Sequence, residues 1–481
     1  MQQRIINGVW WLPDDPSHEF AGALVSGDHG LELSLVGTFN RDPAAPPESP
    51  HSVVHGLADS KLVTLFGCNL VGKTLKQARG LPNGRWFTDW SVASALLGAN
   101  EHFAEMPQFS SVSFSFSYLT DWLGISNVDS RSTRPNDPQD LREMDFYYRE
   151  PEPIRAVVNL LSIEIYSNLR ISNKLNRHIV IHDSYSLFIS SDTYRTVDDW
   201  LSHVIEPLRD FMNFASTAHN QLVGFVAYAG PAPEGLRRGP GIEVLHSLAD
   251  HGVQPIDPLP SELMLLPADE VLPQVASILD NWLSAHERYR EILDLFLAAQ
   301  SSFHPFPYYR FLSLVQALES FHRRHWKATS PVDDMHLERL RAIYAVVPSA
   351  HRKWLKWKLK HSHEPSLQDR LIELTIDLEL LLVPLIGDLS VFLEQIVATR
   401  NYLTHYDAGS SGKAIAVADL GRASDILAIV MRFQLLKEVG ITTERSFALI
   451  AGSGDYQLLT SQWSPRQHLH LGLGAAEIQP I

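Results

Sequence analysis

The spacing of apolar residues along this chain changes its period once, near residue 266. Before about residue 220, segments such as LVSGDHGLELSLVGTF and HIVIHDSYSLFI alternate apolar and polar side chains, which is typical of half-buried strands. From residue 266, apolar residues recur every three or four positions in six successive segments, which predicts amphipathic helices. We therefore predict an α+β protein, in which a β-rich N-terminal domain precedes an all-α helical bundle.

A segment rich in proline and glycine, at about 229–262, marks the end of the β-rich part. We place the β-rich domain at 1–265, the helical domain at 266–455 and a C-terminal tail at 456–481, where little regular pattern remains. A chain of 481 residues is long enough for two or three domains.

Charge and cysteine content narrow the classes of protein to consider. A formal net charge of −15 argues against a general polyanion binder, although a local basic face can still contact nucleic acid. The single cysteine, Cys68, excludes an internal disulfide and a cysteine-rich zinc site. No secretory signal is visible, and acidic residues and a proline interrupt the most apolar segment, LTIDLELLLVPLIGDLSVFL. We expect a cytoplasmic protein without a membrane partner.

Arg400, Asn401 and His405 lie together near the end of the predicted helix LEQIVATRNYLTHYD, residues 393–407. Asn401 and His405 share a helical face about 40° apart, and the long side chain of Arg400 can reach round to it. A histidine can pass a proton near neutral pH, an arginine can hold a phosphate while charge builds, and an amide can position an oxygen. These three are the predicted catalytic residues, and they need no metal.

The spacing alone does not identify a nuclease. An arginine followed five positions later by a histidine is expected about once by chance in a chain of this composition. A cation near a helix C-terminus also stabilises the negative end of the helix dipole, whatever its chemistry. On the residues alone, a catalytic site and an ordinary helix end both remain open.

The segment RNYLTH, residues 400–405, resembles the R-x4-6-H motif of HEPN-superfamily ribonucleases, with a polar residue directly after the arginine. The segment YYRFLSLVQALESFHRR is similar to an early HEPN helix of the ApeA-like branch. NGVWWLPDDPSHEFAGALVS and LLGANEHF resemble parts of that branch's N-terminal domain. The resemblance covers roughly residues 1–455.

This resemblance implies a bacterial antiphage endoribonuclease that acts by abortive infection without cofactor or metal. The RNA 2′-hydroxyl would attack the adjacent phosphate, with His405 as general acid or base, Arg400 stabilising the phosphorane and Asn401 orienting the scissile group. It also implies a homodimer through the bundle, a β-rich domain that senses a phage-derived trigger, and transfer RNA as one candidate substrate. The rival hypothesis is a non-catalytic HEPN module that binds nucleotides or a partner protein.

GCNLVGKT, residues 67–74, matches the phosphate-loop pattern through Gly67, Gly72, Lys73 and Thr74. A phosphate loop must open a sustained helix, and LKQARGLPNGRW breaks after about one turn. A β-hairpin accounts for the same letters. A P-loop phosphohydrolase is therefore a third, weaker hypothesis.

The segment HRKWLKWKLKHSH, residues 351–363, is the densest basic run of the chain. Cations hold phosphates and indoles stack on splayed bases, which predicts contact with single-stranded RNA. The residues assigned to this contact are Arg352, Lys353, Lys356 and Lys360. In the alternative, this is a solvated helix face with Trp354 and Trp357 in the core.

Glu319 and His322 lie three positions apart in QALESFHRR. On one helical face they could border the active site from a neighbouring helix, and we include both as substrate-binding candidates. An ordinary surface pair is the alternative.

Overall fold

The computed structural model describes residues 4–27, 30–40, 50–76, 84–133, 143–174, 178–230, 239–247, 257–300, 306–326, 334–360, 362–406 and 412–462. The chain divides into two compact units. A sheet unit comprises Met1–Ser261 with Pro267–Ala276, and a helical unit comprises Glu262–Leu266 with Ser277–Ile481. The chain crosses between the two units at 261/262, 266/267 and 276/277, and the boundary at 265/266 stays a prediction.

The sheet unit contains fifteen strands among its described residues. They are β1 (Arg4–Trp11), β2 (Phe20–Gly27), β3 (Gly30–Val36), β4 (His51–Ala58), β5 (Lys61–Lys76), β6 (Arg85–Val92), β7 (Ser94–Ala99), β8 (Phe109–Phe116), β9 (Val128–Thr133), β10 (Glu143–Tyr148), β11 (Ile154–Val158), β12 (Leu161–Lys174), β13 (His178–Arg195), β14 (Leu222–Tyr228) and β15 (Ile242–His246).

Thirteen of these strands form one antiparallel sheet in the order β11-β12-β13-β8-β14-β15-β7-β5-β4-β1-β2-β3-β6. β6 also pairs with the second half of β5, so six strands, β5-β4-β1-β2-β3-β6, form a closed circuit. The apolar positions of these alternating strands point to a shared core, as in β3, where every second residue is buried. Fully buried members of that core include Trp10, Leu33, Val54, Leu65 and Trp90. The predicted β-rich N-terminal domain is confirmed.

The phosphate-loop hypothesis is wrong, because its residues lie within β5 and pair in register with neighbouring strands. Gly67 adopts a φ of 65°, and the register against β6 shifts between Leu70 and Gly72. The glycines thus let one long strand bend from its pairing with β4 to its pairing with β6. The ammonium of Lys73 lies 5.0 Å from the centre of the Trp86 ring.

The described helices include four short ones in the sheet unit and a bundle that follows. They are α1 (Leu119–Leu123), α2 (Val197–Trp200), α3 (Glu206–Ser216), α4 (Ala268–Val271), α5 (Val275–Gln300), α6 (Pro307–Trp326), α7 (Asp334–Val346), α8 (Ser349–Lys358), α9 (Leu367–Thr375), α10 (Glu379–Ile386), α11 (Leu389–His405), α12 (Leu420–Glu438), α13 (Thr443–Gly452) and α14 (Gly454–Gln462). A π-helical turn, Leu201–Ile205, joins α2 to α3, and 3₁₀ turns lie at Ser261–Leu263, Leu272–Gln274, Ile376–Leu378 and Val417–Asp419.

α12 is the central helix of the bundle and is buried on all sides. Its buried polar side chains are therefore paired, since an unpaired polar group in the core is costly. Arg432 bonds Gln300 at 3.0 Å and Asp455 at 2.8 Å, and Gln434 donates to the carbonyl of Leu374 at 2.8 Å. The helical C-terminal half predicted from the period is confirmed.

The C-terminal tail predicted from residue 456 differs from the structure in its first residues. α14 extends to Gln462, because Tyr456 and Leu459 pack into the bundle and the Tyr456 hydroxyl donates to the carbonyl of Leu381 at 2.9 Å. Residues 463–481 lie outside the described part of the chain.

In the described residues, no single helix is long and apolar enough to cross a membrane. Leu367–Ile386 and Leu389–His405 reach that length and composition only as a pair, and they meet at an angle of 87°.

Candidate active site

α11 carries the three predicted catalytic residues in its last two turns. The helix begins at Asp388, whose carboxylate accepts a hydrogen bond from the Val391 N–H at 3.0 Å. It ends at His405, since Tyr406 has a φ of 50° and turns the chain out of the helix. Asp388 and Tyr406 thus define the two ends of the helix, and they place the Arg400–His405 segment in its last turns.

Thr399 anchors the turn that precedes Arg400. Its side chain is buried, and its hydroxyl donates to the carbonyl of Gln395 at 2.6 Å and accepts from the Ile415 N–H at 2.8 Å. The bond from Ile415 thereby connects the chain after His405 to the helix at Thr399, one residue before Arg400. Phe392 and Ile396 are also buried, and together with Thr399 they follow the three-to-four spacing of a helical face that meets the core.

The guanidinium of Arg400 is held by two neighbours and remains a third exposed. Its Nη1 donates to Asn401 Oδ1 at 3.1 Å, and its Nη2 lies 3.4 Å from Glu319 Oε2 on α6. The Arg400 side chain is 34% exposed and that of Glu319 is 19% exposed. Asn401 and Glu319 therefore orient the arginine, while part of it stays accessible to a ligand.

The guanidinium borders a cleft of about 460 Å³ between α6 and α11. The described residues that line it are Leu312, Val315, Gln316, Glu319, Ser320, Arg323, Arg400 and Thr404. This mixture of two cations, polar groups and an apolar wall suits a phosphate group with an attached ribose or base. The structure thus brings Arg400 and Glu319 together at one opening, with Asn401 hydrogen-bonded to the guanidinium.

His405 lies at the exposed end of α11, about 140° around the helix from Arg400. None of the described residues hydrogen-bonds to its imidazole, and it is not among the described residues that line the cleft. Within one chain, the structure therefore does not bring His405 to the cleft beside Arg400, contrary to the convergence expected from the sequence, because a five-residue spacing on a helix separates the two side chains. In one copy of the chain, the imidazole is accessible to a separate molecule approaching the helix end.

His322 does not border the cleft, although the sequence suggested that it would. It is 1% exposed and stacks on Trp326 with ring centres 4.5 Å apart. Arg370 donates to its Nδ1 at 3.1 Å, so the remaining ring proton sits on Nε2, which donates to Glu373 at 2.6 Å. Substrate cannot reach this ring without opening the packing, and we assign it to the contact between α6 and α9.

The burial of His322 makes the helical unit sensitive to acid. Burial lowers the pKa of its imidazole below the ordinary value of 6.5, although the bond to Glu373 opposes this. The unfolded chain therefore takes up the proton first, so stability is complete above pH 6.5 and falls as the pH drops below it. We expect the thermal unfolding temperature, measured from about pH 8 to about pH 5, to show this fall. In His322→Gln, the unfolding temperature should fall less steeply with pH. Equal slopes in the two proteins would contradict the assignment.

Most of the basic segment lies in α8, and none of the residues of that helix is buried. Trp354 is 61% exposed and Trp357 is 69% exposed, so the alternative that placed both in the core is wrong. Lys353, Lys356 and Trp357 follow helical spacing on one face of α8, and Lys360 is exposed in the turn after the helix ends. Arg352 is also exposed, with its Nε donating to the carbonyl of Val347 at 2.9 Å.

No three histidine, cysteine, aspartate or glutamate side chains of the described ranges converge as a metal site would require.

Two protein-family models match the chain. Residues 5–282, more than half of its length, match ApeA N-terminal domain 1. The helical part, residues 312–445, matches the Apea-like HEPN domain. The chain belongs to the ApeA-like HEPN family. Neither a search of curated proteins nor a search of solved structures found a match.

Membership in the ApeA-like HEPN family confirms the resemblance and assigns the chain to HEPN-family antiphage defence. The matched range 312–445 contains both walls of the cleft, with Glu319 and Arg400, and it also contains His405. Sequence reasoning missed Arg323, which lines the same cleft. Its signal was its position four residues after Glu319 on the same helical face.

Proposed function

We propose that this ApeA-like HEPN protein is an endoribonuclease of antiphage defence that cleaves RNA without a metal ion. The observation that carries the proposal is the guanidinium of Arg400, oriented by Asn401 and Glu319 at a cleft, with His405 exposed one turn further along α11. The substrate is RNA in the cytoplasm, with transfer RNA as one candidate. No cofactor is required.

The proposed reaction uses the substrate's own nucleophile. A base removes the proton of the ribose 2′-hydroxyl, the oxygen forms a bond to the adjacent phosphorus, and the bond from phosphorus to the 5′-oxygen breaks as that oxygen gains a proton. The products are a 2′,3′-cyclic phosphate and a 5′-hydroxyl. Arg400 stabilises the charge on the phosphorane, Asn401 orients the phosphate, and His405 transfers protons.

A homodimer accounts for the two proton transfers. The reaction needs one group that accepts a proton and one that donates it, and each chain supplies one histidine at this helix end. A two-fold pairing through the helical unit would bring two copies of His405 to one substrate. The exposure of His405 at the end of α11 is compatible with such a pairing.

The proposed RNA-binding surface extends to α8. Its cations stand around two exposed tryptophans, an arrangement that suits a phosphate backbone with splayed bases. These cations are Arg352, Lys353, Lys356 and Lys360. They provide a local positive face in a chain whose net charge is −15.

Removing two of these charges is expected to weaken RNA binding. In Lys353→Ala/Lys356→Ala, affinity for single-stranded RNA should fall roughly tenfold, and the salt dependence of binding should flatten by about 1.4, two contacts at about 0.7 each. The matched control is Lys61→Ala/Lys76→Ala, which removes two exposed lysines from the sheet unit. Fluorescence anisotropy across a salt series measures both quantities. The same loss in both double variants would argue against a role for α8.

We propose that the N-terminal domain senses a phage-derived trigger. In uninfected cells, where the trigger is absent, this domain would restrain the nuclease.

The rival function is a non-catalytic HEPN module that binds nucleotides or a partner. It is favoured by one observation, that the described residues of the cleft include Arg400 but not His405.

Incubation with total RNA, with and without EDTA, separates the two functions. The nuclease proposal expects cleavage that EDTA does not prevent, with 2′,3′-cyclic phosphate ends. The protein is also incubated with a lysate of phage-infected cells, which supplies the trigger. If the RNA stays intact in that incubation, the binding module is favoured.

A further inference from the structure

We infer that Arg323 is a second phosphate-binding residue of the cleft, which holds the phosphodiester next to the scissile one. This inference rests on the proposed function, since it assigns a part of the RNA backbone to the same opening. It extends the site from a single phosphate to a strand of RNA.

Arg323 and Arg400 are joined through one carboxylate. Glu319 Oε1 lies 3.2 Å from Arg323 Nη2, and Glu319 Oε2 lies 3.4 Å from Arg400 Nη2. The carboxylate therefore holds one guanidinium on each of its oxygens, so the cleft presents two neighbouring cations, one for each of two consecutive phosphates. Because α6 and α11 each contribute one cation, the pair spans the cleft between them.

The guanidinium of Arg323 has capacity for a ligand. Its side chain is 55% exposed, and its contacts within the described residues use Nη2 alone, with Glu319 and with Glu364 at 3.8 Å. Its Nε and Nη1 donors thus remain for a phosphate oxygen, in the forked geometry that arginine offers. The described residues that line the cleft include two cations and one carboxylate, a balance that favours a polyanion, while Glu364 outside the lining offsets part of the charge of Arg323.

The neighbouring Arg324 provides a matched control. Its Nη1 lies 2.8 Å from Glu291 and donates to the carbonyl of Arg288 at 2.6 Å, both on α5. It therefore points away from the cleft, about 100° around α6 from Arg323. Replacing either residue by alanine removes one positive charge from the same helix, but only one change affects the cleft.

RNA binding is measured with His405→Ala in the background, so that cleavage does not interfere. The probe is a fluorescein-labelled single-stranded RNA of mixed sequence, followed by anisotropy over a salt series. Arg323→Ala should lower affinity roughly tenfold and flatten the salt slope by about 0.7, whereas Arg324→Ala should change affinity less than about twofold. Arg323→Lys keeps the charge and should retain the salt slope while losing part of the affinity.

The outcomes separate this inference from the proposed function. Equal losses in Arg323→Ala and Arg324→Ala, or unchanged binding in Arg323→Ala, overturn the inference even if RNA is cleaved. A selective loss in Arg323→Ala supports it even if no variant cleaves RNA, in which case the nuclease proposal fails alone. Absence of RNA binding in the parent protein overturns both. Thermal unfolding of each variant identifies a loss caused by misfolding, and Arg323→Lys then decides the outcome.

Discussion

Replacing His405 by alanine is expected to lower RNA cleavage by about 10²- to 10⁴-fold, the usual contribution of a general acid or base. The fold should survive, because the imidazole is exposed at the end of α11 and none of the described residues hydrogen-bonds to it. A substitution at such an exposed position usually changes stability by no more than about 0.5 kcal/mol. Cleavage of a labelled RNA under single-turnover conditions measures the effect.

The control for this substitution is His203→Ala, which removes an exposed histidine of the sheet unit. It should leave cleavage unchanged. Affinity for RNA should also change little in His405→Ala, because the residue acts on protons rather than holding the backbone. Full cleavage by His405→Ala would remove the catalytic role from this helix end and leave the non-catalytic module as the better hypothesis.

Arg400→Lys is expected to lower the cleavage rate by about 10²- to 10³-fold, although it keeps the positive charge. A lysine is a point charge and cannot contact Asn401, Glu319 and a phosphate at once with the forked geometry of a guanidinium. The loss should appear mainly in kcat, because the interaction strengthens as charge builds on the phosphorane. Stability should change little, since the pair with Glu319 is partly exposed.

Arg339→Lys on α7 is the matched control, since it makes the same change at an exposed position outside the cleft. Cleavage by this variant should equal that of the parent. If Arg400→Lys were as active as the parent, a simple positive charge would suffice at this position. The proposed orientation by Asn401 and Glu319 would then have no catalytic consequence.

The sequence predicted the fold well, because burial on one face leaves a period that short segments display. The alternation in β3 and the three-to-four spacing in α11 are direct records of which face meets the core. The phosphate-loop hypothesis was wrong for a physical reason. Glycines at 67 and 72 serve a bent strand as well as they would serve a loop, and pattern alone does not distinguish them.

The candidate site was only partly predictable, because a helix can have two different neighbours. Glu319 and His322 lie within one turn of α6, yet Glu319 reaches Arg400 on α11 and His322 reaches Arg370 and Glu373 on α9. Spacing along the chain places two side chains on one face but does not say which partner each one meets. The exposure of the α8 tryptophans was undecidable for the same reason.

The closed strand circuit affects how the sheet unit behaves when many copies are crowded together. At the β6 end of the thirteen-stranded sheet, the backbone donors and acceptors are satisfied by β3 and β5, so this end offers no template to a foreign strand. The opposite end is β11, which is only five residues long. Because β11 pairs only with Leu161–Ile165 of β12, the described part of β12 beyond Ile165 keeps an open outer edge, and we expect aggregation to begin there rather than at β6.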